Sequence, residues 1–293
     1  MGIKQTKGYL TIEGKVKFMS EKALKVKPQS KEVTFGVETN EGNIINVRAF
    51  GWIKEDDDLI YVSLKEGGTE SVTYGDRFFL DEGKTLIGTA IKPTKDGEVS
   101  IMVDVDAVEL IHSTFKNGDT VFISANSEVD TYYKNLRWVI NKIYASSVDI
   151  NFEDNGFEET NHGKQWIAFD KIDNDTLHGF VVSRKEDILP VEFELDTRYI
   201  EASDFNNYKK GDLVQVDFEL VRTAIYEEVE AKQDDHKFKG KGKYAKAYNG
   251  NGTYKAIKGF DEKYVCVGLS NENVGAIAEE DLGKFGQDED TPF

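Results

Sequence analysis

At 293 residues the chain is long enough for two domains, each with a core of its own. Its single Cys excludes an internal disulfide, and no apolar run approaches the roughly 18 residues of a membrane span, so a soluble, cytoplasmic protein is expected. The net charge of −17 argues against a polyanionic partner, but residues 1–146 hold 19 Lys+Arg against 22 Asp+Glu, a net of −3, while residues 147–293 hold 18 against 32, a net of −14.

The acidity therefore belongs mainly to the second half, and a local basic patch can persist in the first. The opening MGIKQTKGYL lacks the apolar run of a signal peptide. Val, Ile, Thr, Tyr and Phe are plentiful, Pro occurs four times, and short alternating runs are broken by Gly, Asn and Asp. Long amphipathic helical patterns are nearly absent. This is the composition of a mainly β protein, of barrel or sandwich class.

In the first half the strand-like runs are 8–18, 33–38, 43–52, 71–80, 99–110, 120–126 and 137–146. Between the first two lies the basic loop SEKALKVKPQSK, with Lys22, Lys25, Lys27 and Lys31. The next two form a hairpin, VTFGVETNEGNIINVRAFGW, turning at Asn40-Glu41-Gly42, where a glycine supplies positive φ. Strand alternation sends Val33, Phe35, Val37, Ile45, Val47 and Ala49 to a core. Ile44, Asn46, Arg48, Phe50 and Trp52 are left on the opposite face. A guanidinium between two aromatics there suits stacked bases and neutralised phosphates. The alternative is that another element covers Phe50 and Trp52. Asp56, Asp57 and Asp58, followed by KEGGTE (65–70), read as loop or short helix. The three Asp have no further ligands at metal spacing.

An internal echo follows. FKNGDTVFISANSEV (115–129) and YKKGDLVQVDFELV (208–221) share an aromatic, Lys, a polar residue and Gly-Asp before an alternating strand, offset by 93 residues. That offset is about one small barrel, so a duplicated fold is expected. After the first copy comes a loop with Tyr132, Tyr133, Lys134 and Arg137, then RWVINKIYAS, in which Trp138, Ile140 and Tyr144 are assigned one face with Lys142. The boundaries are 1–150 for the first barrel, 151–164 for an acidic linker, 165–271 for the second barrel and 272–293 for a tail.

In the second half, LPVEFELD points Val191, Phe193 and Leu195 inward and Glu192, Glu194 and Asp196 outward, a face that repels polyanions. Cys266 between valines reads as a small core residue. The insertion KFKGKGKYAKAYNGNGTYKAIKGF (237–260) has seven Lys, no acid and five aromatics, with a tight turn at 249–252. A basic hairpin with interleaved tyrosines suits single-stranded nucleic acid. The alternative is a flexible lysine-rich loop. The tail carries seven acidic residues and one Lys, ending in Asp288-Glu289-Asp290-Thr291-Pro292-Phe293. Such a tip can dock in a basic, apolar pocket of a partner or fold back on its own basic groove.

The ending DEDTPF resembles the acidic, Pro-Phe-terminated tails of bacterial and bacteriophage single-stranded DNA-binding proteins. The order strand, basic loop, hairpin with Arg and aromatics, Gly-Asp strand, aromatic loop and final strand resembles an OB-fold. The length points to a bacteriophage version with two OB-like barrels in tandem and a disordered acidic tail. The resemblance implies no catalysis, no cofactor, DNA binding through the sheet face and flanking loops, and recruitment of replication or recombination proteins by the tail. The acidic second half departs from that pattern.

The expected DNA surface is Lys22, Lys25, Lys27, Arg48, Phe50, Trp52, Tyr132, Tyr133 and Trp138, with Lys241, Lys243, Tyr244, Tyr248 and Tyr254 on a second arm. Asp288, Glu289, Asp290, Pro292 and Phe293 are the expected partner contacts. The histidines are scattered, and no metal, Walker A or GxSxG pattern is apparent, so neither an enzyme nor a metal site is expected. The competing expectation is a non-catalytic, β-rich virion or adaptor protein whose acidic second domain binds another protein.

Overall fold

The computed structural model describes residues 5–154, 157–230 and 253–273. The first part contains β1 (Gly8–Lys17), β2 (Leu24–Lys27), β3 (Ser30–Asn40), β4 (Asn43–Trp52), β5 (Leu59–Leu64), β6 (Thr69–Thr73), β7 (Lys84–Leu86), β8 (Thr89–Lys92), β9 (Ser100–Met102), helix α1 (Asp104–Thr114), β10 (Thr120–Asp130) and β11 (Asn135–Ala145). The second contains β12 (Asn161–Asp173), β13 (Thr176–Val182), β14 (Ile188–Leu195), a 3₁₀ turn (Ala202–Phe205), β15 (Leu213–Glu230) and β16 (Thr253–Asn273). The protein is mainly β, as its composition implies.

Strand pairing closes on itself twice. In the first part β1 pairs antiparallel with β3, β3 with β4, β4 parallel with β11, β11 with β10, and β10 returns to β1. In the second, β12 pairs with β13, β13 with β14, β14 parallel with β16, β16 with β15, and β15 returns to β12. Both five-stranded rings therefore have the order first, second, third, fifth, fourth. They are joined edge to edge, because β1 and β12 pair antiparallel from Gly8↔Gln165 to Ile12↔Asn161. One continuous apolar cluster runs through both, from Leu10, Phe35 and Ile123 to Phe193, Val216 and Phe218.

The Gly-Asp echo is a repeated turn in three dimensions. Gly118 and Gly211 adopt φ of 93° and 94°, conformations that suit glycine. The Gly118 N–H donates to Val16 O (2.9 Å) and the Val16 N–H to Asp119 O (2.9 Å). Gly211 and Asp212 make the same pair of bonds with Phe169, both at 2.8 Å. Each Asp carboxylate also accepts from the Lys N–H three residues earlier. Each turn thus stitches the start of a fourth strand to the first strand of its ring, at the end of β1 and inside β12.

The hairpin alternation holds. Val33, Phe35, Val37, Ile45, Val47 and Ala49 are all buried, and Gly42 turns the chain at φ 75°. The stretch 99–110 differs from expectation. Only Ser100–Met102 is strand, and Asp104 begins α1. Val103-Asp104-Val105-Asp106 imitates strand alternation, but Val108 and Ile111 lie about a turn apart and bury in the main core, while Val105, a turn before them, packs with Ile60 and Tyr74. Two aspartates in the first turn complement the helix dipole. The run 71–80 stops as strand at Thr73, and 59–64 forms a strand the composition concealed. The stretch assigned to a linker is structured from Asn161 onward, because the Asn161 amide is bonded to the backbone of Leu220 inside the junction. At the other end, β16 runs through Asn273, past the expected start of the tail.

Candidate nucleic-acid interface

The outer face of β3 and β4 holds the three residues singled out by alternation. Trp52 is 60 % exposed and meets Phe50 edge-on, with ring centroids 5.1 Å apart. Phe50 is half-buried. The Arg48 guanidinium carbon lies 4.9 Å from the centre of the Phe50 ring. The Arg48 side chain is only 12 % exposed, however, and sits between Glu32 (3.6 Å) and Glu128 (3.7 Å). Arg48 is thus a cation held between two carboxylates, and Trp52 is the open ring of the set.

Lys22, Lys25 and Lys27 are exposed on the loop and strand between β1 and β3. Lys25 lies 3.9 Å from Glu32. Lys22 and Lys27 make no ion pair among the described residues. The β10–β11 connection presents Tyr132 and Tyr133, both exposed, edge to face at 4.8 Å. Its shape comes from Asp130. That carboxylate accepts from the backbone N–H of Tyr132 (2.9 Å) and Tyr133 (3.1 Å) and pairs with Arg137, whose guanidinium lies over Tyr133.

Trp138 does not belong to this surface. The register of β10 against β11 slips between Ser124/Ala125, so the chain changes face within 140–142. Leu136, Trp138 and Ile140 point inward before the slip, Ile143 points inward after it, and Lys142 and Tyr144 lie together outside. Trp138 is 3 % exposed and packs on Phe218 (5.7 Å) and Tyr264 (6.5 Å) of the second ring. Its role is to join the cores.

Residues that sequence reasoning passed over complete the site. Where β15 leaves the second ring it pairs with β4 at Thr223↔Asn43. Arg222 donates from its backbone to Asn43 Oδ1 (2.8 Å) and from its guanidinium to Ile44 O (2.9 Å). The same guanidinium stacks 3.6 Å over Phe260 and pairs with Glu262 at 3.3 Å. Below it, Asn43 and Asn161 both donate to Leu220 O, and Glu159 accepts from both amides and from Thr39. This polar lock holds the base of the β15–β16 hairpin against the first ring's β4. No repeat or spacing announces Arg222, since its importance comes from register between strands some 180 residues apart.

A pocket of about 270 Å³ opens between the rings, lined by Lys25, Asn46, Arg48, Arg137, Arg222 and Glu262 among others. A larger one of about 580 Å³ shares Arg222 and Glu262 and continues past Phe260 and Pro190. Together they form a groove with cations and acids on both walls. Burial pushes the Glu262 carboxyl above its ordinary range, against the pull of Arg222, and burial lowers Arg222.

Lys241, Lys243, Tyr244 and Tyr248 lie outside the described residues, as do Asp288, Glu289, Asp290, Pro292 and Phe293. Tyr254 falls in β16, opposite Val229. Among the described residues no group of His, Cys, Asp or Glu is arranged to hold a metal, and no helix is long and apolar enough to cross a membrane. Cys266 is fully buried, and burial pushes its thiol to about 12, in keeping with a core role. Compared with known proteins, the chain matches no family model, and no curated protein matches it.

Proposed function

We propose that this chain is a sequence-independent single-stranded DNA-binding protein built on two fused OB-type barrels. The ring order and α1 before the first ring's fourth strand support the OB assignment. OB-folds bind oligonucleotides on the face of strands two and three and on the loops between strands one and two and strands four and five. In this chain those places are β3–β4, residues 18–29 and residues 131–134. The observation that carries the proposal is their content: an open indole at Trp52, paired tyrosines at Tyr132 and Tyr133, and exposed lysines at Lys22, Lys25 and Lys27. Arg48 lies beneath, and the base of the β15–β16 hairpin is locked to β4 alongside.

Bases stack on the rings, and lysines neutralise phosphates. Glu32, Glu128 and Glu262 compete with phosphate for Arg48 and Arg222, which moderates the electrostatic share of the binding. In this proposal the Asp288–Glu289–Asp290 tip with Pro292 and Phe293 recruits replication or recombination proteins of a bacteriophage system in the host cytoplasm. It also competes with DNA for the basic surface. The chemistry is binding, without catalysis.

The test is tryptophan fluorescence titrated with oligo-dT at low salt. Quenching that saturates supports the proposal, and an unchanged signal ends it, because Trp52 is the exposed ring at the centre of the surface. Removing residues 288–293 is expected to tighten DNA binding at low salt and abolish partner recruitment. The exposed Glu192 and Glu194 favour a second function class, a virion or adaptor protein that uses the acidic ring to bind another protein. A gel shift with single-stranded against duplex DNA separates the two.

A further inference from the structure

The first ring carries something the second lacks. Between its third strand and α1, residues 53–103 form an insertion with a separate sheet, ordered β6-β5-β7. A small core of Ile60, Tyr74 and Val105 seats it on the start of α1. Tyr74 donates to Asp106 (2.6 Å), and Arg77 pairs with the same carboxylate (2.8 Å) while lying over the Tyr74 and Phe78 rings. The insertion is thus fixed to the barrel.

Its outer surface is unusually apolar. Of the seventeen exposed large apolar side chains among the described residues, eight fall between Ile53 and Ile101. Leu59 and Tyr61 share the outer face of β5, Ile87 bonds to the Tyr61 carbonyl, and Phe78 and Phe79 stand exposed on the adjoining loop. A patch of this kind on a soluble surface marks an interaction site. It is also acidic: residues 53–103 carry six Lys+Arg against eleven Asp+Glu, a net of −5.

We propose that this face docks the lysine–tyrosine arm, residues 237–252, of a second copy of the chain. The arm offers five Lys, no acid and three aromatic rings, the complement of an acidic, apolar face. Strand direction supplies the second reason. β15 is antiparallel to β4 at Thr223↔Asn43, so beyond Thr223 it runs away from Trp52 and the insertion that follows it. Seven further residues, about 3.3 Å each, carry the base of the arm about 23 Å beyond β4. The insertion begins at the far end of β4, about 30 Å in the other direction. A 22-residue connection, out and back, reaches about 36 Å at full extension. The arm therefore meets a neighbour's insertion more readily than its own. Arm and insertion are different surfaces, so the contact is heterologous and repeats from head to tail.

The arm also belongs to the proposed DNA surface, so the test omits DNA and does not depend on that proposal. Sedimentation velocity at low ionic strength is run on the full chain, on Y61S/F79S and on K241E/K243E. Tyr61 and Phe79 are exposed, and circular dichroism melts verify that each variant keeps the fold. The full chain is expected to sediment faster with rising concentration and to lose this at high salt. Each variant alone is expected to stay monomeric, while an equimolar mixture forms a dimer, because one copy retains the arm and the other the face. A full chain that is monomeric at every concentration, association that survives either variant, or a mixture that stays monomeric would overturn the proposal.

Discussion

The two rings occupy the same strand order yet present opposite chemistry at the same place. On the first ring's third strand, Arg48 sits at the closing parallel pair with β11, and Phe50 and Trp52 follow on the same face. On the second ring's third strand, Glu194 sits at the closing pair with β16, and Glu192 lies beside it on the same face. There Glu194 holds Lys263 at 2.7 Å, and Glu192 faces His178 at 3.3 Å. The inner faces of β4 and β14 are equally apolar. Closing a ring depends on those inner residues alone, which leaves the outer positions free to carry function. In the proposed reading DNA lies on the first ring, while the second anchors the base of the β15–β16 hairpin on β4.

The largest expected effect that could break this contrast is electrostatic. With about five phosphate contacts the single-strand salt slope is roughly −3.5, so raising salt from about 50 to about 200 mM weakens oligo-dT binding about a hundredfold. A flat salt response in fluorescence anisotropy would remove the cationic face from consideration. Next comes the stacking platform. Trp52→Ala is expected to cost about 1–3 kcal/mol of DNA affinity with an unchanged melting temperature, because the indole is exposed. Arg222→Met sharpens the role of the lock. Loss of its bonds to Ile44 and Glu262 is expected to lower stability by about 1–3 kcal/mol, read by urea unfolding.

A smaller effect concerns pH. Burial holds the Glu262 pKa above its ordinary value, so the folded protein keeps this proton to a higher pH than the unfolded chain does. Its stabilising contribution is complete below the ordinary carboxylate pKa and is lost as pH rises through the raised one. A neutral Glu262 also repels phosphate less, so oligo-dT affinity is expected to rise a few-fold as pH falls into the mildly acidic range. Glu262→Gln should flatten that rise. The smallest expected effect is on the other ring, where Glu192 lines the outer part of the larger pocket and E192Q/E194Q changes DNA affinity by no more than about twofold, since exposed charges are screened. A large gain in affinity there would dissolve the division between the rings.

Several features were legible because they are local. The β3–β4 hairpin declares its inside and outside by alternation, and Gly42 marks its turn. The Gly-Asp echo marks two copies of one turn, since positive φ and an Asp that accepts from a nearby backbone N–H are requirements of a few consecutive residues. Other features were hidden for equally definite reasons. Helix α1 begins with alternating Val and Asp, which imitates a strand until tertiary contacts choose the helical face. Trp138 lies on the face opposite to Lys142 and Tyr144 because a one-residue slip in β11 reverses alternation, and nothing in RWVINKIYAS announces it.

Residue order alone thus determined the mainly β character, the repeated turn, the inner stripe of each hairpin and the separation of charge between the halves, because these depend on spacing of a few residues and on composition. Tertiary structure alone decided that Trp138 bridges two cores, that Arg48 is flanked by Glu32 and Glu128, and that the second ring's hairpin lies against the first ring's β4. Each of these rests on the register of strands distant in the chain. Register is chosen by how whole apolar faces bury together and how polar groups such as Asn43, Asn161 and Glu159 find partners when they do.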